Sequence, residues 1–318
     1  RKNHFKVLRY THLEESMAGV TMKNNLIIKS SFSQLTERSG TVGGEVKSNW
    51  GDLIRTAILA ECMDGDYLWL TEARSVPLLK WIIDEKKIIT YEDFSQLPSN
   101  LQIYNADNYV PNENVFNQLD GNWHGYIWDK EKLVAQNDKI LETESYAEAV
   151  LDQTWQQSLV EGMGFPWKEQ DYPTPAIKTT ETFDIGLNWN VHVNWTAKWW
   201  SKANWDSAAE TLSKAGYSIS WQQGLNDFDE YMEWMNSCRL IISVETLGLH
   251  LASALKKKVI ALIGPASNSE FSYGRVTDLK PSPRACMPCN MPKCNQETHC
   301  MDDISVEQVS KLVHKILG

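Results

Sequence analysis

The sequence predicts an α/β protein of two Rossmann-like domains facing each other across a cleft, with a cysteine-rich segment near the C-terminal end. Three observations predict it. Short apolar runs alternate with segments of helical spacing along the 318 residues, which is the pattern of βα units. The alternation breaks at "FPWKEQDYPTP", Phe165 to Pro175, where three prolines in eleven residues make a linker. Four of the six cysteines crowd between Cys286 and Cys300. The expected division is residues 1–165, a linker at 166–176, a second domain at 177–302 containing the cysteine segment 286–300, and a closing helix at 303–318.

"NLIIKSS", Asn25 to Ser31, reads as the first strand, and the Gly-, Ser- and Thr-rich stretch after it as a loop over 34–49. Leu53, Ile54, Ala57, Ile58 and Cys62 share one helical face, so a helix starts near Gly51. "YLWLT" is a strand, "VPLLKWI" a helix, "KIIT" and "LQIYNA" strands, and "ESYAEAVLDQTWQQSLVEGMG" a helix ending in glycine. In the second domain, "FDIGLNW", "YSISWQQ", "RLIIS" and "KVIALIG" read as strands. "WDSAAETLSKAG", closed by Gly216, and "FDEYMEWMNSC" read as helices, as does the segment from His250 to Leu255, and "SVEQVSKLVHKIL" closes the chain as an amphipathic helix.

A hydrophobic content of 42% and a charged content of 23% are those of a soluble globular protein. A net charge of -10 argues against nonspecific binding to nucleic acid. No apolar run approaches the roughly 20 residues of a membrane span, and no secretory signal pattern is visible; a cytoplasmic location is expected. In that compartment a tight cysteine cluster suggests metal before disulfides. The fourteen tryptophans, seven of them between Trp189 and Trp234, serve packing or stack on a base or sugar. No G-x-G-x-x-G follows the first strand, which disfavours a NAD-dependent oxidoreductase.

The stretch "SVETLGLH" follows the strand "RLIIS" directly. In a βαβ unit the loop at the carboxyl end of a strand is where ligands sit. Glu245 there can accept hydrogen bonds from ribose hydroxyls. Thr246, Leu247 and Gly248 open a helix whose free N–H groups favour a phosphate, and a glycine lets backbone approach a ligand closely. The alternative is an ordinary helix capped by Glu245 or Thr246, with His250 a satisfied buried histidine. After "FDIGLNW" comes a polar loop carrying Asn188, His192, Asn194 and Lys198; Lys198 either pairs with a diphosphate or is solvated. Asp52 lies at a helix start, as a cap or as a general base in the cleft. Cys286, Cys289, Cys294 and Cys300 have the spacing C-x₂-C-x₄-C-x₅-C, and four thiolates can close a structural shell around zinc or iron.

These segments resemble glycosyltransferase family 9, the ADP-heptose:lipopolysaccharide heptosyltransferase family. The resemblance is strongest from about Asp184 to Val306. It is carried by "DIGLNWNVHVNWTAKWW", "ISWQQGLNDFDEYMEWMNSCRLIIS", "VETLGLHLASALKKKVIALIGP" and "CMPCNMPKC…HCMDDISVEQV", with "WGDLIRTAIL" in the first half. It implies a GT-B fold and an enzyme that transfers a sugar, usually a heptose from ADP-heptose, with inversion and no catalytic cofactor. It gives Asp52 the place of the catalytic base. It puts Lys198 on the donor diphosphate and Asn188, Glu245, Thr246, Leu247, Gly248 and His250 around the donor. A structural iron or zinc ion would sit at the four cysteines, as in some relatives, and the location would be cytoplasmic, on the periphery of the inner membrane. Glu245 stands where the family usually has Asp, and the 34–49 loop is longer than the family's; the nucleotide and the acceptor (a glycan, a protein hydroxyl or a small molecule) stay open. The competing readings are a GT-B transferase using another nucleotide sugar, and a noncatalytic binding or assembly module with a metal-stapled tail.

Overall fold

The computed structural model describes residues 24–33, 47–48, 50–63, 66–94, 97–143, 153–175, 177–224, 227–266 and 274–318. Most of the 34–49 loop and the first twenty-odd residues therefore lie outside the described residues.

The first half begins with β1 (Asn25–Ile28), a two-residue ladder of β2 (Phe32–Ser33) and β3 (Lys47–Ser48), and α1 (Trp50–Thr56). It continues with β4 (Leu68–Thr71), α2 (Val76–Leu79), β5 (Ile88–Thr90), β6 (Leu101–Asn105) and α3 (Glu113–Phe116), and then β7 (Gly121–Trp128), β8 (Leu133–Ala135), α4 (Asp138–Glu142) and α5 (Trp155–Gly162). The strand order is β5-β4-β1-β6-β7-β8. All neighbours are parallel except β7 and β8. The direction of winding reverses between β1 and β6.

The second half holds β9 (Phe183–Asn188), α6 (Lys202–Lys214), β10 (Ile219–Trp221), α7 (Phe228–Asn236), β11 (Cys238–Val244), α8 (Leu247–Ala254), β12 (Lys258–Leu262), β13 (Val276–Leu279) and α9 (Val306–Leu317). Its sheet is parallel throughout, in the order β10-β9-β11-β12-β13. Winding reverses between β9 and β11. The central strands are apolar runs because helices cover both faces: Leu240, Ile241, Ile242 and Val244 are fully buried. Gly216 follows α6 at φ +97, the left-handed conformation that closes a helix at low cost for glycine. α9 starts with a capping box between Ser305 and Gln308.

One apolar cluster joins the halves. Ile27, Leu53 and Trp69 belong to the same cluster as Tyr231, Leu249 and Val259, and α1 packs directly on α8. Asp229 on α7 accepts hydrogen bonds from Lys80 (2.8 Å) and Trp81 (2.8 Å) of the first half. The irregular segment after α5 is pinned to the second half by Asp171, which pairs with Arg275 and Lys256. Burial pushes the Asp171 carboxyl up, but hydrogen bonds from Arg275, Lys256 and the Tyr172 N–H outweigh it and bring it down to about 2.

Several expected boundaries move. The helix near Gly51 runs as α only to Thr56 and tightens to a 3₁₀ segment over Ala57–Met63. The helix expected over "VPLLKWI" is a single turn. The long helix expected before the linker starts at Trp155, because Thr154 has extended backbone and its hydroxyl accepts from the Gln157 N–H; residues 144–152 lie outside the described residues. No described helix is long and apolar enough to cross a membrane.

Candidate functional site

The reversal between β9 and β11 places Asn188 beside Ser243, with Glu245 and Thr246 just beyond. Asn188 is 1% exposed. Its Nδ2 donates to Ser243 Oγ (2.8 Å) and Thr246 Oγ1 (3.1 Å), and its Oδ1 accepts from Tyr231 OH (2.7 Å). Thr246 occupies the N-cap position of α8, yet its side chain makes no cap hydrogen bond; the hydroxyl is turned to Asn188 and the Val244 carbonyl. The ordinary capped helix is therefore not formed with Thr246. The N–H groups opening α8 lack that side-chain acceptor, and the helix dipole favours an anion there.

Gly248 is explained by packing. A Cβ on it would fall 2.2 Å from Asn188 Nδ2 and 2.5 Å from Tyr231 OH. The glycine lets α8 close on Asn188, a reason different from the close ligand approach its sequence position suggests.

Lys198 comes from the 3₁₀ turn Thr196–Lys198 after β9. Its Nζ lies 2.8 Å from Glu245 Oε1, with 15% and 10% of the two side chains exposed, and 4.6 Å from the centre of the Trp195 ring. The solvated-lysine alternative does not hold. The other oxygen, Glu245 Oε2, is buried with no hydrogen-bond partner.

α1 supplies the opposite wall. Asp52 Oδ1 lies 2.6 Å from Arg55 Nη2, and the Arg55 side chain is only 2% exposed. The Arg55 guanidinium stacks 3.8 Å from the centre of the Trp155 ring, a cation–π contact in a desolvated place. His250 on α8 is buried. Burial holds its pKa well below the usual histidine value, and the charges of Arg55 and Lys198 push the same way. The imidazole is thus neutral at pH 7, close enough to both cations to feel them. Sequence reading missed Arg55, Trp155 and Tyr231. Arg55 was findable, since a basic residue three after an acid in a helix faces it; the Trp155 stack and the Tyr231 bond are tertiary.

Cys286, Cys289, Cys294 and Cys300 line one cavity of about 140 Å³ with Ala197, Arg284 and Met287. All are free thiols. Burial pushes the Cys300 thiol up, and Cys294, Cys289 and Cys286 add to it while Arg284 opposes. The donor chemistry suits a soft ion, but among the described residues no group of three or more His, Cys, Asp or Glu is arranged to hold a metal. The expected four-cysteine shell is not formed in this arrangement. The cysteine segment does touch the site: the Ala197 N–H, beside Lys198, donates to the Pro292 carbonyl (3.0 Å). Of the other two cysteines, Cys238 is a buried thiol pushed up to about 11 by burial, and Cys62 is only partly buried.

No protein-family model matches the sequence, and no curated protein sequence matches it significantly. Solved structures do match, and they define a class: the chain has the fold of the heptosyltransferases and family 9 glycosyltransferases. A glycosyltransferase of family 9 from Veillonella parvula aligns at a TM-score of 0.57 and 12% identity, over 93% of this chain and 97% of that one. The E. coli heptosyltransferase WaaC with ADP-2-deoxy-2-fluoro heptose aligns at 0.55 and 12% identity, over 92% and 99%. The iron-containing dodecameric glycosyltransferase TibC from enterotoxigenic E. coli aligns at 0.55 and 13%, over 93% and 78%.

Proposed function

We propose that the protein is an inverting glycosyltransferase that takes a heptose from ADP-heptose. In this reading residues 1–165 face residues 177–302 across a cleft, acceptor side to donor side. The observation that carries it is the convergence at the β9/β11 switch point of a cation, an uncapped helix start and a carboxylate with an unsatisfied buried oxygen. That set matches a nucleoside diphosphate: Lys198 and the α8 N–H groups for the phosphates, Glu245 Oε2 for a ribose hydroxyl. Structures of the same fold support the donor, one holding the fluoro analogue of ADP-heptose and one in complex with ADP-D-beta-D-heptose.

Asp52 takes the proton of the acceptor hydroxyl, held in place by Arg55. The acceptor oxygen bonds to the anomeric carbon from the face opposite the nucleotide. The bond from that carbon to the diphosphate oxygen breaks, and its electron pair leaves with ADP. Lys198 and the helix dipole stabilise the charge gathered on the diphosphate, so no catalytic metal is invoked. The four thiols around the 140 Å³ cavity would hold a structural iron or zinc only after drawing closer together; elemental analysis of the purified protein decides this.

Replacing Asp52 by Ala should cut transfer by about 10²–10⁴ while leaving ADP affinity, measured by calorimetry, within twofold of wild type. Undiminished transfer would remove Asp52 from the chemistry. Tighter binding of UDP or GDP than ADP would keep the mechanism and discard the heptose donor. A well-folded sample that binds no nucleotide would favour the noncatalytic assembly module.

A further inference from the structure

The proposed transfer makes no use of the cysteine segment, yet that segment is wired to Lys198. Lys198 ends the single 3₁₀ turn Thr196–Lys198, and Trp195 before it makes no side-chain cap hydrogen bond. Two backbone bonds close the turn on itself, from the Lys198 N–H to the Trp195 carbonyl (3.0 Å) and from the Trp199 N–H to the Thr196 carbonyl (3.1 Å). They give the turn its shape. They do not fix where it sits on the sheet, and a lysine that must meet a diphosphate depends on that placement.

Two buried residues set the placement. Trp195 and Trp199 are exposed, whereas Ala197 and Trp200 are buried, and both of the buried ones donate to the cysteine segment. The Ala197 N–H bonds to the Pro292 carbonyl (3.0 Å), between Cys289 and Cys294. Trp200 Nε1 bonds to the Ile304 carbonyl (2.9 Å), four residues after Cys300. The segment has its own anchors. Arg284 donates to the Thr298 carbonyl (2.6 Å) and to Asp303 (2.8 Å), and the Asn290 N–H to the Pro265 carbonyl (2.9 Å). Cys300 and Met301 lie against the end of β12: a Cβ on Gly264 would strike Met301 Sδ and fall 3.2 Å from Cys300 Sγ.

The thiols and the turn share a wall. Ala197 lines the same cavity of about 140 Å³ as all four cysteines. Cys286, Cys289 and Cys294 are only partly buried, so reagents can reach them. Groups that overfill a packed cavity push its walls apart. Here the wall toward β12 is held by the buried Met301 and Cys300. The opposite side carries the exposed Met291 and the single bond from Ala197 to Pro292. That side gives first, and Ala197 is the residue before Lys198.

We propose that the cysteine segment is a positioning clamp for Lys198, so that bulky modification of its thiols weakens the binding of a nucleoside diphosphate. The nucleotide part rests on the donor reading above; the clamp does not. The test uses the full chain carrying Cys62→Ala, which leaves the segment thiols as the accessible ones, since Cys238 is buried. N-ethylmaleimide is added: a thiolate sulfur bonds to one alkene carbon, the neighbouring carbon takes a proton, and peptide masses locate the adducts. ADP and adenosine binding are measured by calorimetry before and after. Trp200→Phe, which deletes only the donor to Ile304, is measured beside it and decides the matter alone if the thiols resist the reagent. Each perturbation should weaken ADP about fivefold or more, the worth of one well-placed hydrogen bond. Adenosine, which has no phosphate for Lys198 to meet, should stay within twofold. In a Lys198→Ala background neither perturbation should change ADP binding further. Unchanged ADP affinity, an equal loss for ADP and adenosine, or an effect that persists without Lys198 would each overturn the proposal. Wild type that binds no ADP would sink the donor reading instead. Hydrogen exchange then judges the clamp by itself: faster exchange at the Ala197 amide after modification keeps it, and unaltered exchange removes it.

Discussion

Replacing Gly248 by Ala tests how tightly the candidate donor cradle is built. The added Cβ would lie 2.2 Å from Asn188 Nδ2 and 2.5 Å from Tyr231 OH, against a normal separation of about 3.5–4.0 Å. Neither neighbour can swing away freely. Asn188 is 1% exposed and bonded to Ser243, Thr246 and Tyr231 at once. Either α8 shifts off the sheet or the Asn188 amide rotates out of its bonds. Overpacking of this kind costs about 1–3 kcal/mol. Breaking two of the buried hydrogen bonds adds about 1 kcal/mol each, and the better helix propensity of alanine returns about 1 kcal/mol. The net loss is about 2–4 kcal/mol, or about 5–15 °C in the melting of this half. Because Asn188 and Thr246 set the entry of α8, ADP affinity should fall as well.

The control is Gly216→Ala. Nothing lies within 4 Å of a Cβ there, and the residue has φ +97, so only backbone strain of about 1–2 kcal/mol is at stake and ADP binding should not change. Urea denaturation and calorimetry on both variants make the comparison. In an Asn188→Ala background, Gly248→Ala should cost less than it does alone, since half of the overlap is gone. A Gly248→Ala protein with wild-type stability and ADP affinity would refute the packing argument.

Two further predictions follow from the same walls. His250 is held neutral in the fold, whereas an unfolded histidine takes up a proton below about pH 6.5. Its contribution is therefore present above that pH and lost as pH falls below it, about 1.4 kcal/mol between pH 7.5 and 5.5; urea midpoints of His250→Gln should show a slope flattened by that amount, and an unaltered slope would contradict the burial of a neutral ring. Arg55→Met removes the cation 2.6 Å from Asp52 and the stack on Trp155, a loss of about 3 kcal/mol for a nearly buried pair, and Arg55→Lys should recover part of it; equal stability of all three proteins by denaturation would show the pair to be idle.

The second half was legible because its strands are buried on both faces. "RLIIS" and "KVIALIG" are apolar runs that became β11 and β12, and the polar break between them became the turn into α8. Strands at or next to a sheet edge left no such mark. β13 reads "VTDL" with its two central residues exposed, and β7 reads "GNWHGYIW", exposed or half-buried along its first half, so neither carries an apolar run. In the site, Glu245 and Lys198 were visible as polar residues after strands, but their pairing spans 47 positions and no local pattern encodes it. The four cysteines were conspicuous in sequence, yet thiol density alone did not dictate a coordination shell.

The Lys198–Glu245 pair explains how a donor could be held without stranding a charge. A diphosphate that pulled Lys198 away altogether would leave Glu245 buried and unpaired, at a cost of several kcal/mol on the order found for broken buried pairs. An ammonium has three donors, and one of them is committed to Glu245 Oε1. The remaining donors can reach phosphate while the pair stays closed, with the Trp195 ring 4.6 Å away limiting where Nζ can move. Glu245 then keeps Oε1 on the lysine and offers the unsatisfied Oε2 to a ribose hydroxyl. In the proposed mechanism both ends of one ion pair read the nucleotide together. Charge that develops on the departing diphosphate meets a cation already in position, so little reorganisation is left for the transfer step.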